Sequence, residues 1–203
     1  MMIKKFRLWT LSLILVLLSS VAIADDSPLP LLQGISSSML SQLSKLQSQL
    51  ASNPSIISNM VNELLIPHVD VDRMAGSVLG RNYWQGATPE QRSQFVSEFS
   101  HLVISTYSSA LSSYDHDQIK FYPIRGGVSG SQSVQLNSVI IRQSGQTVSV
   151  NYNLERSGSD WKIYDFVIDN VSMVQSYRSQ FASTLTQGGL PALLQKLQAR
   201  QGS

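Results

Sequence analysis

The sequence contains no cysteine, which removes disulfides and thiolate metal sites together. It is also poor in charge. Asp, Glu, Lys and Arg make up 14% of the chain, against the ~25% usual for soluble domains. Ser and Gln fill the positions that would face solvent. Histidine is scarce: His68, His101 and His116 lie far apart, and no pair has the i, i+4 spacing of a helical metal site. His68, after Pro67, and His116, in Asp115-His116-Asp117, read as turn and loop residues. The Gly-x-Ser-x-Gly elbow is absent, as are Gly-x-Gly-x-x-Gly and any phosphate-cradling Gly-rich loop. Gly126, Gly127 and Gly130 read as turn glycines. No metal, nucleotide or other cofactor is implied.

What is present starts with an export signal. Lys4, Lys5 and Arg7 form a basic n-region. Leu8 to Leu18 is an apolar run of about eleven residues, shorter than the ~20 a membrane span needs. Ala22-Ile23-Ala24 is a small-x-small cleavage pattern, so residues 1–24 read as a signal peptide and residues 25–203 as one exported domain. Cleavage changes the charge. The chain has 15 basic and 13 acidic residues, and three of the basic ones leave with the signal. The mature net charge is therefore about −1, which gives no basic surplus for nucleic acid. Export would permit disulfides, but a mature chain of this length can build a core without them.

Periodicity along the mature chain separates helices from strands. Leu32, Ile35, Met39, Leu43, Leu46 and Leu50 step by three or four, which predicts an amphipathic helix over 29–51. Asn53-Pro54 starts a second helix, cap then first-turn proline, ending near Pro67. A short helix is expected over Val71 to Leu79, closed by Gly80. Thr88-Pro89-Glu90-Gln91 is a capping box with a first-turn proline and opens a long helix to about Tyr114. Phe95, Phe99, Leu102, Val103, Tyr107 and Ala110 share one face of it. His101 lies opposite that face, in solvent.

Four strand candidates follow: Ile119 to Ile124, Ser133 to Gln143, Gln146 to Arg156, and Asp160 to Asp169. The short Gly-containing links at Ser144-Gly145 and Ser157-Gly158-Ser159 make the pairing antiparallel. Val148, Val150, Tyr152 and Leu154 alternate with Ser149, Asn151, Asn153 and Glu155, one dry face and one wet face. The last strand runs into Ser172 and Gln175, a second capping box, with Val174, Tyr177, Phe181 and Leu185 at helical spacing. A final helix follows Gly188-Gly189, with Pro191 in its first turn. Helices, a four-stranded antiparallel meander, then helices is an α+β architecture. The long helix covers the dry face of a curved sheet, as in an NTF2-like cone with extra N- and C-terminal helices.

Asp165 is the one residue that invites a catalytic reading. Strict alternation puts it on a face with Trp161, Ile163 and Val167. A carboxylate in apolar surroundings can have its pKa raised and act as a base. The alternative is a carboxylate that accepts backbone hydrogen bonds or sits at a bulge. No second acid or base is visible nearby, so no catalytic residue is assigned.

Several ordered segments resemble the MlaC family, also called the toluene-tolerance family. They are Pro67-His68-Val69-Asp70 with Met74-Ala75, then Val78-Leu79-Gly80-Arg81 with Tyr83-Trp84, then Thr88-Pro89-Glu90-Gln91-Arg92 with Phe95 and Phe99, and Thr106-Tyr107. The block from Trp161 to Phe181, WKIYDFVIDNVSMVQSYRSQF, matches the family's C-terminal signature. One departure is Asp169-Asn170 where the family has Glu-Gly. Asn tolerates a left-handed backbone nearly as glycine does, so the turn can survive.

The resemblance implies a periplasmic phospholipid carrier and not an enzyme. Its partners would be a phospholipid, an inner-membrane ABC transporter complex with its substrate-domain subunit, and an outer-membrane lipoprotein–porin complex, with the carrier itself a monomer. Acyl chains would lie against Tyr107, Leu111, Val148, Val150, Tyr152, Leu154, Trp161, Ile163 and Tyr177, each of which can equally be plain core. Arg81 and Arg178 are the candidates for a phosphate head group, since Arg pairs with phosphate bidentately. Two other classes stay open: an NTF2-like periplasmic enzyme using Asp165, and a protein-binding module such as a lipoprotein chaperone, whose dry face would open as a surface patch. The intact mass of exported protein should match residues 25–203; a mass that retains residues 1–24 would identify an uncleaved anchor instead.

Overall fold

The structure, a computed structural model, describes residues 26–201 apart from positions 51, 54 and 115. The signal peptide and its cleavage site lie outside the described residues, as does the first-turn proline at position 54. Among the described residues no helix is long and apolar enough to cross a membrane.

With one exception, the helices fall where the sequence reading puts them. They are α1 (Leu29–Leu50), α2 (Ser55–Leu64), α3 (Val71–Leu79), α4 (Arg81–Gly86), α5 (Pro89–Ser112) and α6 (Met173–Gln201). A 3-10 turn, Ile66–His68, joins α2 to α3. The Thr88 capping box forms in both directions: Gln91 N–H donates to Thr88 Oγ1 at 3.2 Å, and Thr88 N–H donates to Gln91 Oε1 at 3.0 Å. Asp70 caps α3 by accepting the Arg73 N–H at 3.0 Å. Gly80 ends α3 with φ 76°, a left-handed φ open to glycine at little steric cost. Helix α4 has no counterpart in the periodicity because its six residues carry no apolar repeat. Helix α6 is broken at Gly189 (φ 65°), and Pro191 then sits in the first turn of its second half.

The sheet is an antiparallel meander of β1 (Gln118–Phe121), β2 (Ser133–Ile141), β3 (Thr147–Ser157), β4 (Asp160–Ile168) and β5 (Val171–Ser172), in that order. It has five strands where the sequence reading gives four. The extra one is a two-residue strand that pairs back onto β4 through Val167↔Ser172 and Ile168↔Val171. Two residues are too few to show alternation, so nothing in the pattern marks them. The link is Asp169-Asn170, with φ of 46° and 66°. Left-handed backbone at both central positions is the type I′ geometry that matches strand twist. The turn forms without a glycine, and Asp169 Oδ1 ties it to β3 by accepting the Ser149 N–H at 2.9 Å.

Register defines the dry face. Leu136 stands opposite Tyr152, Ser138 opposite Val150, and Ile140 opposite Val148. Across the next ladder Tyr152 stands opposite Phe166, and Leu154 opposite Ile163. The ladder shifts between Asn153 and Leu154, leaving Tyr164 as an extra residue in β4. This bulge corrects the strict alternation. Asp165 pairs with Asn153 and Val167 with Asn151, so both share the face of those asparagines and not that of Trp161 and Ile163, and Asp165 is buried there under the start of α6. Phe166 and Ile168 take the dry face instead.

Three apolar clusters hold the layers together. Leu32 and Ile35 of α1 pack on Leu136, Leu154, Trp161 and Ile163 at one end of the dry face. Leu43 and Leu50 of α1 pack on Ile57, Met60 and Val61 of α2. The third joins α3, α5 and α6. Phe95 and Phe99 stack at 5.8 Å, and Tyr177 and Phe181 of α6 meet them edge-on at 5.3 and 6.2 Å. Asp26, the first described residue, is pinned to the β3–β4 hairpin: Trp161 Nε1–H donates to Asp26 O at 2.7 Å, and Arg156 forks onto the Asp26 carboxylate. Asn170→Val should cost about 1–2 kcal/mol by forcing a β-branched residue into left-handed backbone, while Asn170→Gly should leave stability at or slightly above the parent. Urea midpoints at constant slope check both.

Candidate functional site: an apolar sheet face and an arginine cleft

The structure divides the nine apolar candidates. Leu154 and Ile163 are fully buried, and Trp161 and Tyr177 are 5% exposed. Leu154, Trp161 and Ile163 pack under α1, and Tyr177 lies in the α3–α5–α6 cluster. Val150 is buried as well. Tyr107, Leu111, Val148 and Tyr152 stay half-buried. The two α5 residues point to different partners: Tyr107 packs on the α3–α6 side, and Leu111 on the α1–α2 side. Burial, and then the neighbouring Tyr177, push the Tyr107 phenol above its ordinary range.

Around these half-buried candidates lie others that alternation missed. Phe121, Phe166 and Ile168 face the same way and are also half-buried. The Tyr152 ring stands between Phe121 at 6.1 Å and Phe166 at 5.8 Å. Phe166 and Ile168 were hidden by the bulge, whose position no apolar pattern marks: β4 is apolar or aromatic on both faces around it. Phe121 could have been found, since it alternates with Ile119 along β1.

The second feature is a cleft of about 570 Å³ between α3, α4, β4 and α6. Arg81 and Arg178, the two head-group candidates, both line it, with Ser77, Trp84 and Gln175. Among the described residues neither guanidinium has a carboxylate within ion-pair distance. Arg178 lies against Gly80, where a Cβ would come within 3.3 Å of its guanidinium. A third arginine of the cleft, Arg73, is already engaged by Glu155 and by the Tyr164 ring, 4.0 Å below it. None of the nine apolar candidates lines this cleft.

Asp165 also borders the cleft, and each oxygen of its carboxylate accepts a hydrogen bond. Oδ2 accepts the Ser172 hydroxyl at 2.6 Å, and Oδ1 accepts the Val174 N–H at 3.1 Å. Ser172 Oγ in turn accepts the Gln175 N–H at 3.1 Å. The carboxylate therefore caps the start of α6, where negative charge is favoured by the helix dipole. It is the backbone-bonded carboxylate at a bulge that the sequence leaves open as the alternative to a base. The histidines lie apart from it: His101 and His116 are exposed, and His68 is in the 3-10 turn. Asp165→Ala should lower the unfolding free energy by about 2–3 kcal/mol, the worth of a buried charge-assisted cap. Asp165→Asn, which keeps one acceptor, should cost less; urea denaturation distinguishes them.

Comparison with known proteins places this geometry. The family described as MlaC protein matches residues 33–199. A toluene tolerance protein, ttg2D, of Pseudomonas putida is 28% identical over 179 residues, covering 87% of this chain and 82% of that protein. The intermembrane phospholipid transport system binding protein MlaC of Haemophilus influenzae is 27% identical over 198 residues, covering 96% and 92%. A solved structure of the phospholipid-binding protein from Ralstonia solanacearum, in complex with a phospholipid, superposes with a TM-score of 0.80 at 27% identity, covering 88% of this chain and 98% of that one. With the family pattern matched over most of its length and the same mixed helix-and-sheet fold, this chain belongs to the MlaC family.

Proposed function

We propose that this chain is a soluble periplasmic phospholipid carrier. It takes a phospholipid between an outer-membrane lipoprotein–porin complex and an inner-membrane ABC transporter complex with its substrate-domain subunit, as a monomer, and so maintains outer-membrane lipid asymmetry. The observation that carries the reading is the shared fold, over 98% of its length, with a relative solved in complex with a phospholipid.

The physical requirement is set by the acyl chain. Each methylene removed from water is worth ~0.8 kcal/mol, so a chain of about sixteen carbons costs on the order of 12 kcal/mol to leave wet. The carrier needs an apolar face that its own side chains do not fill. Val148, Tyr152, Phe166 and Ile168 on the sheet, with Tyr107 and Leu111 from α5, are apolar or aromatic yet half-buried, which suits them to that contact. Val150, Leu154, Trp161, Ile163 and Tyr177 shape the wall from behind. Arg81 and Arg178 are the groups for a phosphate: both guanidiniums reach one cleft, uncommitted to any described carboxylate. The protein performs no reaction on the lipid, and Asp165 serves α6 and not chemistry.

Native mass spectrometry of freshly purified mature protein, followed by lipid extraction, tests the reading. The expected result is co-purifying phospholipid at about one per chain, retained by Asp165→Asn and lost on Val148→Glu, which places a charge on the apolar face. Protein that carries no lipid when fresh and takes none from vesicles would end the carrier reading.

A further inference from the structure

One face of α3 forms a wall of the arginine cleft. Asp72, Gly76 and Gly80 step along it by four residues. Gly76 lets the Trp84 ring lie against the helix, since a Cβ there would come within 3.2 Å of the indole. Arg92 holds the same tryptophan, its Nε–H donating to Trp84 O at 2.8 Å. At the far end the Arg178 guanidinium lies against Gly80, the residue before Arg81. The cleft thus has a cationic end, an aromatic side and, at the start of α3, the Asp72 carboxylate.

The other charges in the cleft are already paired. Arg73 is engaged by Glu155, and both oxygens of Asp165 accept hydrogen bonds at the start of α6. Among the described residues, no hydrogen bond or ion pair engages the side chain of Asp72, Arg81 or Arg178. Asp72 does not cap its own helix, because Asp70 accepts the Arg73 N–H. Two cations and one carboxylate are therefore open to a ligand, and all three residues are exposed.

Their spacing selects that ligand. Gly80 lies eight residues beyond Asp72, about 12 Å along the helix. A molecule that satisfies both ends must carry an anion and a cation well apart. In phosphoethanolamine four bonds separate phosphorus from nitrogen, about 5 Å when extended. A charge-assisted hydrogen bond of about 2.8 Å at each end brings its reach to about 11 Å. An amino acid, whose ammonium and carboxylate share one carbon, is too short. A phosphoglycerol group has no cation for Asp72, and a quaternary phosphocholine has no N–H to donate.

We propose that the cleft is a subsite for a zwitterionic phosphoethanolamine group, its phosphate on Arg81 and Arg178 and its ammonium on Asp72, a reading that rests on the assignment of the two arginines to a phosphate above. The group belongs either to a lipid head or to a soluble phosphodiester, and the test separates the two.

Delipidated, isotope-labelled full mature protein is titrated with glycerophosphoethanolamine and with glycerophosphoglycerol, following the Trp84 indole and Gly80 amide signals by NMR. Exposed ion pairs are weak, so one extra pair predicts a preference of about two- to fivefold for the ethanolamine ester. Asp72→Asn should bring the two ligands to equal affinity, and Arg178→Gln should weaken both. Equal affinity in the unsubstituted protein overturns the zwitterion subsite and leaves the arginines as phosphate groups. A preference that survives Asp72→Asn overturns it as well, by placing the discrimination elsewhere. If neither ester shifts Trp84 or Gly80, the subsite and the phosphate role of the arginines fall together, while lipid extraction decides the carrier reading separately. Where glycerophosphoethanolamine binds, protein loaded with phosphatidylethanolamine identifies the source. A cleft then closed to the soluble ester holds the carried lipid's own head, and one that still takes it serves a separate phosphodiester.

Discussion

One extra residue in β4 fixes where two helices, α3 and α6, meet the sheet. If β4 alternated regularly through Tyr164, Phe166 could not share a face with Ile163. The bulge lets both point inward, because a one-residue slip exchanges every side chain between faces. The same slip turns Asp165 to the opposite face, against the start of α6, where its carboxylate takes the Ser172 hydroxyl and the Val174 N–H. On the other side of the bulge, Ile163 O accepts the Asp70 N–H at 2.8 Å and locates α3. Two helices are thus indexed to one irregularity in one strand, and α5 is held to α6 through the Phe95, Phe99, Tyr177 and Phe181 rings.

That arrangement separates two demands that conflict in a carrier. Stability asks for every apolar side chain to be covered; binding asks for an apolar face that is not. Here α1 covers one end of the sheet with Leu32 and Ile35, and the aromatic box on α5 and α6 supplies a second core, against which Phe166, Ile168 and Tyr107 pack. The remaining dry face can stay half-covered without unfolding the protein. Occupancy by a ligand then adds stability through linkage, about 2.7 kcal/mol at a hundredfold excess over Kd. The scarcity of charge extends to the sheet, where Asn151 and Asn153 on β3 are polar without being charged.

Much of this was legible in the residues. Capping chemistry is local, so Thr88 with Gln91, and Ser172 with Gln175, could be read directly, and each N-cap hydrogen bond is present. Gly80 and Gly189 mark their breaks because their positive φ values disfavour side chains. The meander is legible because β3 alternates cleanly and its flanking turns contain glycine. What escaped depends on contacts distant in sequence. The bulge is decided by the pairing of β4 with Asn153 and Leu154, about ten residues back along the chain, and no local pattern announces it. Strand β5 is too short for a period, and α4 carries none. For the site, the residue types on the dry face could be named in advance. Which of them are filled core and which remain open could not, since that is settled by where α1 ends its coverage.

Asp165 shows why residue type and strand position are not enough to assign chemistry. An aspartate among aromatic residues on a strand feeding a helix is what a cone-shaped enzyme would offer as a base. A base, however, needs a lone pair directed at a substrate, with room for that substrate beside it. Both oxygens of Asp165 are already taken, at 2.6 and 3.1 Å, by the first turn of α6. Freeing either would uncap the helix that carries Tyr177 and Phe181, and with it half of the aromatic contact to α5. The hydrogen bonds that stabilise the start of α6 are thus made by both oxygens of the carboxylate, and the surface open beside it is the cleft lined by Arg73, Arg81 and Arg178.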